Sequence, residues 1–441
     1  MKIPGLKGFD EAAFRKYFIN TSWLMFGKVF SMLVSFLMVR YLGPIAFGDL
    51  SFAIALTTIV AAVGALGLDS FIIREIIKEP GKKDEILGTS LGMRLGVNLL
   101  LIPISIGAYL IMHHFSAHPG SSLTLIVALL SMASLFKSFN VIDSYFQSQV
   151  QSKYVVQVQN TCVFISAIVK VSLVWLDMPL IFFAMALTFD AFILALGLVW
   201  MYHARGFDIS KWTFNLARAQ SLLKQSFPLI LSAVMVSIYM KIDQVMLKSV
   251  GSEEVGIYSA AANISEAWYF IPIAIVTSVF PALINARLND PARYKKRLQN
   301  LYDLLMLISL PVALGVSFLG SDIIHLLYGN RFEGAGAMLS IHIWSGVFVF
   351  LGSASSQYLL AEGFTMISFQ RTAAGAIVNI LLNLWLIPLY GGLGASIATL
   401  IACAISTFYI LFIGRTRQQG IMMLKSLFLI SPLQKIFNWT R

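Results

Sequence analysis

Apolar residues fall in blocks of twenty or so along nearly the whole chain, separated by short segments where charged residues and turn formers gather. A helix needs about 20 mostly apolar residues to cross a bilayer, so each block predicts a membrane-spanning helix. Twelve are read, at 17–39, 44–68, 87–111, 122–146, 155–176, 180–202, 226–248, 257–284, 301–320, 336–360, 371–389 and 392–413. Within the first half, polar residues recur at helical spacing. Thr21, Lys28, Ser31 and Ser35 form one stripe; Ser90, Arg94, Asn98 and Ser105 a second; Lys137, Asn140, Ser144 and Gln151 a third; Ser166 and Lys170 a fourth.

Composition agrees with this pattern: 441 residues, 58% hydrophobic and 12% charged, with a mean hydropathy of +0.80. Such a chain is a polytopic membrane protein, not a soluble one. Lys and Arg concentrate in alternate loops: Arg74, Lys78, Lys82 and Lys83; Arg205, Lys211, Arg218 and Lys224; Arg287, Arg293 and Lys295 to Arg297; then Arg415, Arg417, Lys425, Lys435 and Arg441. The positive-inside bias puts both termini in the cytoplasm, and it accounts for the net charge of +11 without nucleic-acid binding. The first apolar run is too long for a signal-peptide core and is read as retained. The implied organisation is a cytoplasmic segment 1–16, a six-helix lobe 17–203, a cytoplasmic linker 204–225, a second six-helix lobe 226–413, and a cytoplasmic tail 414–441 lying along the headgroups. Cys162 and Cys403, in the fifth and twelfth helices, read as packing residues.

The two halves resemble one another. Gly43-x4-Gly48-x2-Ser51-x-Ala53 matches Gly251-x4-Gly256-x2-Ser259-x-Ala261, 208 positions later. Ala167-Ile168-Val169-Lys170 matches Ala376-Ile377-Val378-Asn379 at an offset of 209. An offset of six helices, an even number, makes the repeats parallel, related by an axis near the membrane normal, as in transporters that hold substrate between two halves.

Four segments carry a family resemblance: Arg40-Tyr41-Leu42-Gly43-Pro44…Phe47-Gly48; Ile271-Pro272…Phe280-Pro281-Ala282-Leu283; Gln357-Tyr358-Leu359-Leu360-Ala361-Glu362-Gly363; and Asn383…Pro388…Gly391-Gly392-Leu393-Gly394-Ala395-Ser396…Ala398-Thr399. In that order they resemble the polysaccharide branch of the multidrug/oligosaccharidyl-lipid/polysaccharide exporter superfamily, which includes the Wzx-type O-antigen flippases. Twelve helices fit that branch better than the lipid II flippases, which carry two more. The resemblance implies an all-α membrane fold of two six-helix lobes about a pseudo-two-fold axis. It further implies alternating access that carries an undecaprenyl-pyrophosphate-linked oligosaccharide across the bacterial inner membrane for surface polysaccharide assembly. Membrane lipids are expected partners, and polysaccharide polymerase and chain-length machinery are partners the resemblance admits. Asp49 departs from the family pattern, which favours an aromatic or apolar residue there; a carboxylate at this position is expected at the outer mouth.

Charged groups inside membrane helices are costly and mark substrate or ion paths by default. Lys28, Arg94, Lys137 and Lys170, with Asn98 and Asn140 on the same stripes, are therefore the substrate-binding candidates, suited to a pyrophosphate or acidic sugar: Arg grips phosphate bidentately and Lys supplies point charges. Internal pairing with Asp143 and Asp190 is the alternative. The second half carries Lys241, Asp243 and Glu266. Together with Asp143 and Asp190, Asp243 and Glu266 are candidates for binding a proton or sodium ion whose gradient drives reorientation; a Lys241-linked structural site is the other reading. No other cofactor and no metal centre is expected.

Enzyme signals fail. Gly88-Thr89-Ser90-Leu91-Gly92 matches a nucleophile elbow, which needs a strand-to-helix turn, whereas these residues open a membrane helix. His113, His114 and His118 lack a carboxylate at a ligating spacing, and no P-loop is present. A membrane-bound polysaccharide polymerase would show a large outer loop. An ion-coupled multidrug antiporter of the same superfamily is the other alternative, disfavoured because a cation-rich lobe repels cationic cargo.

Overall fold

The computed structural model describes residues 11–114 and 123–431, the side chains of 11–26, 28, 281, 282 and 288 excepted. The Lys28 side chain, His118 and the tail from Pro432 onward lie outside that description. Helices α1 to α7 run Glu11–Gly64, Asp69–Lys78, Lys83–His114, Thr124–Lys137, Val141–Ser148, Lys153–Trp175 and Leu180–Ala204. Helices α8 to α14 run Leu216–Met246, Ser252–Glu266, Phe270–Asn289, Pro291–Tyr328, Ala335–Ala361, Thr365–Phe408 and Arg417–Leu427. Ten spans among the described residues are long and apolar enough to cross a membrane. Two of these are each a pair of helices divided at a glycine: α1 at Gly43 (φ 69°, ψ 176°) and α13 at Gly391 (φ 54°, ψ −132°). Only glycine adopts such backbone at little cost. Counted as pairs, these give the twelve crossings that the apolar blocks predict.

Two compact units form, and they differ from the predicted lobes. One gathers the described parts of Met1–Met38, Val63–Tyr109 and Thr124–Ile230; the other, those of Val39–Ala62, Leu110–Leu123 and Leu231–Arg441. Val39–Ala62, assigned from sequence to the first lobe, joins the second unit because its backbone packs directly on α9. A Cβ on Gly48 would lie 1.7 Å from the Ser252 carbonyl oxygen, and one on Gly256 would lie 1.9 Å from that of Pro44. Asp49 beside this crossing accepts from Lys248 Nζ at 2.5 Å and Ser252 Oγ at 2.6 Å.

In the first unit, α7 packs against α4 and α6. A cluster of Tyr145, Phe146, Tyr202, Phe207 and Trp212 stacks edge to face at its end. The predicted linker 204–225 is partly helix, since α8 begins at Leu216. The reason is a cap: Asn215 accepts from the Arg218 N–H at 3.2 Å and donates its own N–H to Thr89 Oγ1 at 3.0 Å. The glycines of the elbow-like motif serve packing. A Cβ on Gly88 would meet the Thr213 carbonyl at 2.5 Å, and one on Gly92 would meet the Phe214 ring at 2.8 Å. Arg218 then bridges Glu85 (2.7 Å) and Glu79 (3.0 Å). Hydrogen bonds from Lys82 and then Arg218 hold the Glu79 carboxyl below its ordinary pKa.

The second unit is built around α12, which packs on α9, α11 and α13. Gly336 presses on the Ser321 backbone at 2.6 Å and Gly320 on the Gly336 carbonyl at 2.8 Å, measured from their ideal Cβ positions. Such small-residue crossings matter in lipid, where apolar surface alone does not drive helices together. Helix α14, expected along the headgroups, docks on α11: Gln299 donates to the Met422 carbonyl at 3.1 Å, and Asp303 accepts from Ser426 and Ser431 at 2.6 and 2.8 Å.

Candidate functional site

The polar stripes of the first unit resolve into three separate sites. At the start of α2, Asp69 accepts from Arg94 Nη2 at 2.8 Å and from Ser144 Oγ at 3.3 Å, and Arg94 also donates to the Ala65 carbonyl at 3.1 Å. Arg94 is 3% exposed against 61% for Asp69, so the guanidinium is packed inside the unit. One turn further along α3, Asn98 donates to Ser138 Oγ at 3.0 Å. Asn98 lies against Gly64, where a Cβ would fall 1.9 Å from its Oδ1.

The third site is a cavity of about 390 Å³ lined by Gly27, Ser31, Gln159, Asn160, Ser166, Lys170 and Asp190, with Cys162, Val163 and Leu194. An adjoining space of about 170 Å³ shares Ser31, Val163, Ser166 and Lys170. Lys170 Nζ donates to Asp190 Oδ2 at 2.5 Å, the internal pairing foreseen as an alternative. The stripes of Ser31 and of Ser166 with Lys170 thus meet. Asp143 bonds Gln147 on its own helix at 3.0 Å.

Lys137 ends α4, where the helix tightens into a 3₁₀ turn over Ser138–Asn140 that holds Asn140 half-buried. Lys137 is exposed, and among the described residues no carboxylate pairs with it.

In the second unit Lys241 pairs with Glu266 at 3.1 Å, leaving Asp243 to a different environment. Asp243 is 1% exposed. It accepts from Tyr258 Oη at 2.7 Å, Thr399 Oγ1 at 2.5 Å and Asn383 Nδ2. Asn379 accepts from Asn383 at 3.2 Å, and the Ala395 carbonyl accepts from Thr399 at 3.0 Å. Among the described residues every hydrogen-bond donor to this carboxylate is neutral. Two turns before Asn379 on α13, Arg371 is buried and donates to the Gly352 carbonyl at 3.1 Å and Ser356 Oγ at 2.7 Å.

Sequence reasoning missed Asp69, Tyr258, Asn379, Thr399 and Arg371 as site residues. Asn379 and Asn383 stand four apart in an apolar helix, a signal that was available; Asp69 sits at the edge of an apolar block and gives none.

The polysaccharide biosynthesis protein family model matches residues 37–336. The probable flippase AglR of Haloferax volcanii is 28% identical over 162 residues, 36% of this chain and 34% of that protein. The chain thus spans about a third of the length of the curated relatives it matches. Among solved structures, the lipid II flippase MurJ in an inward closed conformation superposes with a TM-score of 0.74 at 18% identity, covering 94% of this chain and 93% of that one. An inward-facing multidrug resistance MATE family transporter gives 0.69 at 14% identity, over 95% and 99%. Both share the all-α membrane fold described above. By the match over 300 residues, the chain belongs to the polysaccharide biosynthesis protein family, in the polysaccharide transporter branch of the multidrug/oligosaccharidyl-lipid/polysaccharide exporter superfamily.

Proposed function

We propose that the protein is a flippase that carries a glycan linked to a polyprenyl phosphate or pyrophosphate across a membrane by alternating access. In a bacterial host the carrier is undecaprenyl pyrophosphate, the membrane is the inner membrane, both termini are cytoplasmic, and the product feeds O-antigen or another surface polysaccharide. Beyond family membership, one observation carries this reading: Lys137, an exposed lysine inside the apolar span Thr124–Ser148. A cation in that position belongs on a water-filled path, and with no carboxylate paired to it among the described residues it is available to a phosphate. Lys170, already paired, lines its own cavity, and Arg94, packed inside the unit, holds α3 to α2, while the lipid tail stays in the bilayer. The multidrug-antiporter reading is supported by fold alone.

In a cell lacking its native flippase, the wild type is expected to restore the lipid-linked glycan to the outer leaflet. Lys137→Ala, at equal membrane abundance, is expected to lower that rate by about tenfold or more, the loss of one charge-assisted hydrogen bond of about 1.5–3 kcal/mol. Unchanged transport in Lys137→Ala removes the phosphate contact. Export of organic cations with no movement of the glycan favours the antiporter.

Coupling is assigned in this proposal to Asp243. A buried carboxylate facing only neutral donors is costly as a lone anion, and binding a proton or sodium ion neutralises it. Glu266, held by Lys241, lacks that incentive. Asp243→Asn keeps the shape and removes the charge. Transport in vesicles with an imposed sodium or proton gradient should lose its response to the gradient, by about 5–150-fold, the range of ordinary coupling energies. The same response in Asp243→Asn would move coupling elsewhere.

A further inference from the structure

We infer that the cavity holding the Lys170–Asp190 pair is a subsite for a neutral, hydroxyl-rich sugar, an inference that rests on the flippase reading and names the part of the cargo this site takes. Its volume, about 390 Å³, falls in the range of about 300–1,000 Å³ usual for small-molecule sites. Polar groups are set into its otherwise apolar wall: Ser31 and Ser166 supply hydroxyls, and Gln159 and Asn160 supply amides. Lys170 and Asp190 neutralise one another at 2.5 Å.

That pairing decides the ligand class. An anion entering the cavity must take Lys170 from Asp190 and then face the released carboxylate; an organic cation meets the same obstacle from the other side. Separating a partly buried ion pair leaves an uncompensated charge and is strongly unfavourable. A neutral polyol leaves the pair intact. Its hydroxyls donate to amide oxygens and accept from amide N–H groups, and each amide side chain offers both kinds of atom. Gly27 shapes the same wall, because a Cβ there would fall 2.4 Å from Asn160 Oδ1; the bare backbone leaves Asn160 its place. The sugar is thereby separated from the phosphate, which the proposed path meets at Lys137.

Cys162 lines this cavity and is half-exposed, whereas Cys403 is buried, so maleimide modification of the full chain in lipid nanodiscs reports on the site, with Cys162→Ser as the labelling control. Two probes are compared: a short-chain polyprenyl pyrophosphate bearing a neutral disaccharide, and the same pyrophosphate bearing none. The sugar-bearing carrier should slow Cys162 modification severalfold while the sugarless one does not, and Asn160→Ala should abolish the protection without changing binding of the sugarless carrier. Equal modification rates with both carriers, or full protection in Asn160→Ala, would overturn the subsite. Transport of the sugar-bearing carrier by the wild type, measured in parallel, separates the two claims. Transport without protection refutes the subsite alone, and absence of both transport and binding refutes the flippase reading with it.

Discussion

Asp69→Ala will destabilise the protein more than Arg94→Ala, although the two residues form one ion pair. The asymmetry follows from burial: Arg94 is 3% exposed and Asp69 61%. Removing the carboxylate strands a guanidinium that keeps only the Ala65 carbonyl, since its Nε has no partner among the described residues. Breaking a fully buried pair this way costs about 3–5 kcal/mol. With one member open to solvent, the loss is nearer the 1.5–3 kcal/mol or so of a hydrogen bond to a charged group. Arg94→Ala leaves a carboxylate that water can solvate, so its loss is smaller. Asp69→Ala combined with Arg94→Met should recover most of the stability by removing the stranded charge while keeping the stem's packing. Thermal unfolding of purified protein in one detergent, monitored by tryptophan fluorescence, measures all three; equal losses in the two single variants would contradict the argument. Arg94→Ala also bears on transport. If Arg94 only holds α2 to α3, its variant transports in proportion to folded protein, and a deeper defect makes it a substrate contact.

Much of this architecture was legible because a bilayer makes length and hydropathy nearly decisive. The blocks divided at Gly43 and Gly391 are the helix pairs that part at positive φ. Helical spacing puts Ser31 and Lys170 on two separate stripes, and those two stripes line one cavity. What spacing could not supply was partnership across helices. Arg94 and Asp69 are 25 positions apart, and nothing in either apolar block says that the end of one meets the middle of the next. The residues around Asp243 come from helices separated by as many as 156 positions. The α8 start was misplaced for a different reason: Arg218 and Lys224 interrupt hydropathy without interrupting the helix, because Asn215 caps the helix before the apolar run begins.

The repeat was visible as similarity, and the structure gives it a physical purpose. Gly48 and Gly256 are equivalent positions of the two copies, and each receives a backbone carbonyl from the other copy where a side chain would stand. Gly256→Leu is therefore expected to be the most damaging single substitution considered. Its Cβ would lie 1.9 Å from the Pro44 carbonyl oxygen, and backbone cannot step aside as a flexible side-chain end does. Relief requires moving the two helices apart, which also pulls Asp49 from Lys248 and Ser252. Overpacking alone costs about 1–3 kcal/mol and sometimes more; the loss of a charge-assisted cluster adds to it. In lipid no hydrophobic gain offsets the separation. Gly48→Leu should fail in the same way, and combining the two should not rescue either, because both side chains compete for one gap. Gly96 is the control: it lies inside α3 with nothing within 4 Å of its ideal Cβ. Gly96→Ala should hold or raise the unfolding temperature, since alanine is favoured over glycine in a helix by about 1 kcal/mol. Size-exclusion yield and thermal unfolding of the four variants decide the matter. A monodisperse Gly256→Leu with an unfolding temperature like that of Gly96→Ala would mean that the two copies of the motif do not touch.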